Sequence, residues 1–203
     1  MISNRRFALA VLGFVAAGVV GSALVVAAAP GLVVATAGGM TVHANSMTFT
    51  SMTAYPTVNQ TSTDSRRLLV TIEVKSATAD SLTLTKTLNL SRYGDVPSNG
   101  RVRIRLHSDS VGPIGNSIFR VSRLHADTYD LTDFTVDEGY VDETTQNPAG
   151  PSDPVELLTT GQSGSFGNVT MHVHSMALQK LALSNFSIQF QFDPDGDGVY
   201  EYK

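Results

Sequence analysis

Cysteine and tryptophan are both missing from this chain of 203 residues, and only 16% of it is charged. Without cysteine no disulfide can brace the fold, so it must be held by burial, backbone ladders or a metal ion. Basic residues are scarce as well: 14 Lys and Arg stand against 18 Asp and Glu, a formal net charge of −4. A nucleic-acid partner would ask for a basic face, so none is expected. No nucleophile motif is present either. The run Gly161–Ser165, GQSGS, is not the Gly-x-Ser-x-Gly elbow, and no His and acid are spaced to serve it. No catalytic residue is therefore assigned.

What is abundant is apolar surface with a period of two. Hydrophobic residues make up 42% of the chain, enough for one domain with its own core. From Val169 to Phe192 they fall at Val169, Met171 and Val173, shift phase to Met176 and Leu178, then to Leu181 and Leu183, and end at Phe186, Ile188, Phe190 and Phe192. Alternation of this kind writes strands, not helices. The shifts follow polar pairs, Gln179-Lys180 and Ser184-Asn185, and predict bulges or bends that re-aim the next segment at the same core. The same phrase begins at Ala44 and Ala126, and a looser copy at Ala79. Further alternating strands are expected at Leu68–Val74, at Phe119–Val121 and at Arg101–Leu106, where Arg101, Arg103 and Arg105 form a solvated face. The expected fold is all-β: an antiparallel sandwich of Greek-key or jelly-roll type built from quasi-repeated strand units. A short β-solenoid is the alternative.

Residues 1–37 read as a signal peptide or membrane anchor. Arg5 and Arg6 precede an apolar run, residues 7–29, long enough to form an N-terminal helix that spans a bilayer if uncleaved. Ala35-Thr36-Ala37 offers a small-x-small cleavage site, and the arginine pair also admits the twin-arginine route. Either way the domain that follows, residues 38–192, is expected outside the cytoplasm, at the cell surface or in the medium. The first unit should break at Pro56 into a polar loop. Residues 137–167, rich in acid, Pro, Gly and Ser, read as a long surface loop. Four Asn-x-Ser/Thr triplets, at Asn59, Asn89, Asn168 and Asn185, would accept glycans only in a host equipped for it.

Two constellations carry candidate chemistry. Residues 193–203 form an acidic tail in which Asp193, Asp195 and Asp197, with Gly at position six, match the first half of a calcium loop. Val199 would add a backbone carbonyl and Glu201 a ninth-position ligand, and the chain as given has no twelfth-position Glu. Calcium is the expected cofactor. Histidines His43, His125 and His172 occupy one place in the repeat and would form a transition-metal ladder if the units stacked in register; a solvent-facing row is the plainer expectation.

The Arg-Phe-led apolar N-terminus, the Leu124-x-Ala126-Asp127 phrase before an alternating strand, and the closing apolar strand after Met176 resemble a family of uncharacterised secreted actinobacterial proteins. That resemblance implies export and β structure and supplies no functional residues. This chain differs in lacking the cysteines associated with that family and in carrying the acidic tail. The expected function is a non-enzymatic, exported envelope or extracellular β protein, calcium-stabilised and self-associating at the cell surface. A carrier for an apolar ligand, suggested by Phe186, Phe190 and Phe192, and a secreted hydrolase are the alternatives.

Overall fold

A computed structural model describes the backbone of residues 32–60, 66–90, 99–140 and 155–202, and the side chains of 38–57, 68–90, 99–137 and 158–201. The apolar run expected to form a leader or anchor helix lies outside the described residues. The strands are β1 (Leu32–Gln60), β2 (Arg66–Asn89), β3 (Arg101–Ile114), β4 (Ser117–His125), β5 (Thr128–Thr132), β6 (Thr135–Tyr140), β7 (Val155–Leu178), β8 (Leu183–Ser184), β9 (Ser187–Asp193) and β10 (Glu201–Tyr202). All pair antiparallel in one ten-stranded sheet. β1 begins at Leu32, inside the segment read as leader, with Leu32–Ala35 laddered to Ser175–Leu178.

The expected all-β sandwich is what the chain forms. The solenoid alternative fails, because stacked units would touch only their sequence neighbours, whereas β1 is bonded to β2 on one side and to the distant β7 on the other. β4 then pairs with both β2 and β7. The strands β1, β7, β4 and β2 therefore close a hydrogen-bonded ring around the core. Met40, Val42, Met47, Phe49, Phe119 and Val173 are among the buried residues that fill it.

The ring closes because its long strands crease. In β1 the residues that join the core are Met40, Val42 and Ala44, then Met47 and Phe49, then Met52: the inward parity switches twice. Yet the pairing of β1 with β2 runs from Thr41↔Thr85 to Gln60↔Arg66 without a register shift. At the second change a left-handed residue, Ser51, turns the side chains over while the ladder continues; none stands at the first, at Asn45-Ser46. Ser51 has φ of 53° and Asp133 51°, each at the eighth position of its copy of the phrase, and Asn185, with φ of 50°, stands in the last phase shift, before Phe186. The expected bend is thus present at Ser184-Asn185, as a crease without an inserted residue. Gln179-Lys180 is different, since β7 ends at Leu178 and the chain leaves β4 there to join β3 as β8.

Three other expectations are corrected. The supposed loop at 137–167 contains the end of β6 and, from Val155, the first half of β7; only 141–154 lie outside the described residues. Its glycines mark close packing, not a turn. A Cβ on Gly164 would sit 2.6 Å from the Asp130 carbonyl oxygen and 2.8 Å from the Phe49 ring. Pro56 does not break β1. It pairs with Val70 on β2, while the pairing to β7 ends at Ala54, so the missing N–H falls on the open side. In β2, Leu68 and Val70 face solvent while Leu69 and Thr71 are buried, before Ile72 and Val74 take up the expected phase. Arg101–Leu106 forms the alternating strand anticipated, with Ile104 buried.

Candidate functional site

The acidic tail folds into a compact loop between β9 and β10. Asp193 closes β9 opposite Arg101 of β3 and is fully buried, with 0% exposure. Its two carboxylate oxygens accept the backbone N–H groups of Gly196 at 2.7 Å and Gly198 at 3.1 Å. Asp197 accepts from the Val199 N–H at 2.7 Å, and Asp195 from the Asp197 N–H at 3.4 Å. Gly196 and Gly198 have φ of 76° and 93°, which L side chains rarely adopt, and a Cβ on Gly196 would run into Asn99.

One oxygen from each of Asp193, Asp195 and Asp197 lies within 4.8 Å of the others. That spacing suits a single hard cation with oxygen ligands at about 2.3–2.6 Å. Asp195 and Asp197 are exposed, so water can complete the shell. Of the other predicted ligands, Glu201 is not part of this group. Val199 contributes its N–H to Asp197, and Glu201 pairs with Phe192 in β10. Tyr200 instead lies under Arg103, whose guanidinium carbon is 3.5 Å from the ring centroid. This pins the far end of the loop to β3.

The histidines are not a metal ladder. His43 and His125 both stand opposite Thr170, one on each side of β7, which puts them two strands or about 9–10 Å apart. His172 lies in the next row, opposite Thr41 and Arg123, and bonds the Gly38 carbonyl at 3.2 Å. What the histidines do form is a row running across the outer face: His125, Thr170, His43, Thr83, His107, Ser187. His43 Nδ1 bonds Thr170 Oγ1 at 3.1 Å, and His107 Nδ1 bonds Thr83 Oγ1 at 3.0 Å.

The crease itself runs beside this row. Successive strands supply Asp127, Asn168, Asn45, Ser81, Asp109 and Asn185, each flanked by paired residues on either side. Asn168 (φ 49°), Ser81 (53°) and Asn185 (50°) are left-handed, so every second strand carries the turned-over residue. The strands between carry His-x-Asp or His-x-Asn: His43-Ala44-Asn45, His107-Ser108-Asp109 and His125-Ala126-Asp127. Asn185 donates its amide to Asp109 at 2.8 Å and Asn168 does the same to Asp127. His107 and His125 add Nε2 contacts to those carboxylates at 3.2 and 3.3 Å. The Asn amide first, then the His, holds each carboxyl below the ordinary aspartate value.

Sequence reasoning did not single out His107, although the His-x-Asp spacing shared with His125 marks it. Thr83, His107 and Asp109 have the order of a nucleophile, base and acid. However, Thr83 is only 7% exposed, and its His–Thr unit recurs at His43–Thr170, as a structural row would. A Ser–His contact, Ser122 to His174 at 3.0 Å, sits at the irregularity in β4 and lines neither of two apolar cavities among the described residues. Of the proposed apolar-ligand residues, Phe186 lines a cavity with Leu84, Leu106, Phe119 and Met176, whereas Phe190 and Phe192 do not.

Compared with protein-family models, with curated proteins and with solved structures, the chain matches nothing. Its class is that of an antiparallel β-sandwich with creased, laterally continuous strands. Its function must be argued from that geometry.

Proposed function

We propose that this is a non-enzymatic, exported envelope or extracellular protein whose β domain self-associates at the cell surface, with calcium stiffening the C-terminal loop. The observation that carries the reading is the pair of one-sided strands at the ends of the sheet. Among the described residues β5 and β6 pair only with β7, and they expose Tyr129 (74%), Phe134 and Val136 (55%). At the other end β8 pairs only with β3, and Phe186 is 49% exposed beside it. Strands with an open backbone edge, even short ones, and exposed apolar side chains beside it are sites of pairing between chains. The apolar leader, residues 7–29, supports export and, if retained, membrane anchoring.

Calcium fits the oxygen-only donor set of the loop, and that loop seats β10 against Gln191 and Phe192 of β9. The test is sedimentation of the full chain, recovered from the surface or medium of expressing cells, with and without millimolar calcium. Assembly that grows with concentration and tightens with calcium is expected. A monomer under every condition overturns the reading. A carrier for an apolar ligand is the second reading, favoured by the cavity behind Phe186; native mass spectrometry of the same material, finding no bound small molecule, removes it.

A further inference from the structure

The sheet's own alternation specifies what should lie beyond its open edge. Two strand types take turns across the crease. One carries His-x-Asp or His-x-Asn, as in β1, in β3 and at the β4–β5 junction. The other carries a left-handed residue, then x, then Thr or Ser: Asn168-Val169-Thr170 in β7, Ser81-Leu82-Thr83 in β2, Asn185-Phe186-Ser187 between β8 and β9. In spatial order the types read β5, β7, β1, β2, β3, β8/β9, beginning with the first type and ending with the second. Inside the sheet β7 and β2 each have a first-type strand on both sides. Among the described residues Asn185 and Ser187 have one only, on β3.

From this we infer that the β8–β9 edge of one molecule pairs antiparallel with the β4–β5 edge of the next, head to tail, so that the crease runs unbroken from copy to copy. The inference rests on the self-association proposed above and assigns its register. β5 runs in the same direction as β1 and β3, so the new pair is antiparallel like every other in the sheet. Placing Asp127 of the second copy opposite Asn185 repeats the contact that Asn168 makes with Asp127 within one chain. The same register sets His125 opposite Ser187, as His125 stands opposite Thr170.

The apolar residues agree with this register, although they took no part in choosing it. It sets Leu124 opposite Ile188, Ala126 opposite Phe186 and Tyr129 opposite Leu183. Leu124, Tyr129, Phe186 and Ile188 are all among the large hydrophobics left exposed in the single chain. It also brings Arg123 opposite Gln189, whose Oε1 is buried without a hydrogen-bond partner. The pairing has a natural end. Two steps beyond Gln189, at Gln191, the partner would be Val121, already laddered to Val70, and there the β9 edge is itself taken by Tyr202 of β10. Because the two edges differ, the contact is heterologous and propagates head to tail, into a ring where the rotation closes and an open filament where it does not, in place of an isologous dimer.

The experiment uses full chains recovered from cells, as above, carrying Leu124→Lys or Ile188→Lys, each first shown by thermal melting to keep its fold. Each variant alone should be monomeric. Mixed, they should form a one-to-one dimer and nothing larger, because each retains the edge that the other lacks. In a second arm Ser187→Cys with His125→Cys, in a chain otherwise free of cysteine, should give a non-reducing ladder of multimers that Ser187→Cys with Thr132→Cys does not. Wild-type assembly that persists in both lysine variants, or a ladder indifferent to register, overturns this inference and leaves self-association standing. A wild-type monomer at all concentrations removes both.

Discussion

Asn185, with φ of 50°, donates its side-chain amide to Asp109 at 2.8 Å across the ladder between β3 and the β8–β9 junction. One residue thus turns the strand over and ties the turned point to its neighbour. Alanine fits neither role, since its Cβ clashes in the left-handed region and it has no amide, whereas glycine fails only the second. Asn185→Ala should cost about 1–2 kcal/mol and Asn185→Gly clearly less. Urea unfolding of the two variants side by side checks the order.

Asp109 and Asp127 both have carboxyls held below the ordinary aspartate value, first by an Asn amide and then by a His. A folded-state value lowered in this way gives stability that is present above the unfolded value of about 3.9 and is lost as pH falls through the folded value. The wild type should therefore weaken more steeply below about pH 4 than the double variant Asp109→Asn, Asp127→Asn. Melting temperatures across that range, in buffer of constant ionic strength, decide it.

Gly164 leaves no room for a side chain between the Asp130 carbonyl and the Phe49 ring. Gly164→Ala should destabilise by about 1–3 kcal/mol, because one of the obstacles is backbone and cannot rotate away. Gly198, with open space where its Cβ would be, is the comparison for a glycine constrained by φ alone. Denaturant midpoints report both.

In the acidic loop the three aspartates should separate. Asp195→Ala and Asp197→Ala should abolish a calcium-dependent rise in melting temperature while changing metal-free stability little, since both carboxylates are exposed. Asp193→Ala should lower metal-free stability by about 1.5–3 kcal/mol, because the buried carboxylate holds the N–H groups of Gly196 and Gly198. Saturating calcium at a hundred times its Kd would add about 2.7 kcal/mol to the wild type. Calorimetric scans with calcium and with chelator measure each part.

Most strand faces and the creases were legible in the sequence because both are local, although Leu68 and Val70 take the face opposite to the one their alternation suggests. Phe49 to Met52, Leu131 to Phe134 and Leu183 to Phe186 all skip a step, and a left-handed residue stands in each gap. Strand neighbours were not legible. Period two says which way Val42 points and nothing about whether β7 or β2 lies beside it, since backbone N–H and C=O groups are alike in every residue. The first half of β7 was hidden for another reason. Its Gly, Ser and Thr residues have the composition of a loop, and only the rings and carbonyls packed over Gly164 show why small residues are needed in a strand. The aspartate loop could be read from its spacing alone, but the burial of Asp193 depends on β9 and β3, which no motif encodes.

The ring of β1, β7, β4 and β2 also constrains when the molecule can fold. β1 needs partners more than a hundred residues away, such as Thr41 against His172, and β4 cannot close the ring until Leu178 is in place. Contact order is therefore high and nucleation by any single hairpin is insufficient, so folding should be slow and all-or-none. A chain threaded end-first through a narrow channel would remain open until nearly all of it had emerged. Its apolar strands would be accessible throughout that passage, and order would arrive only with the last quarter of the sequence.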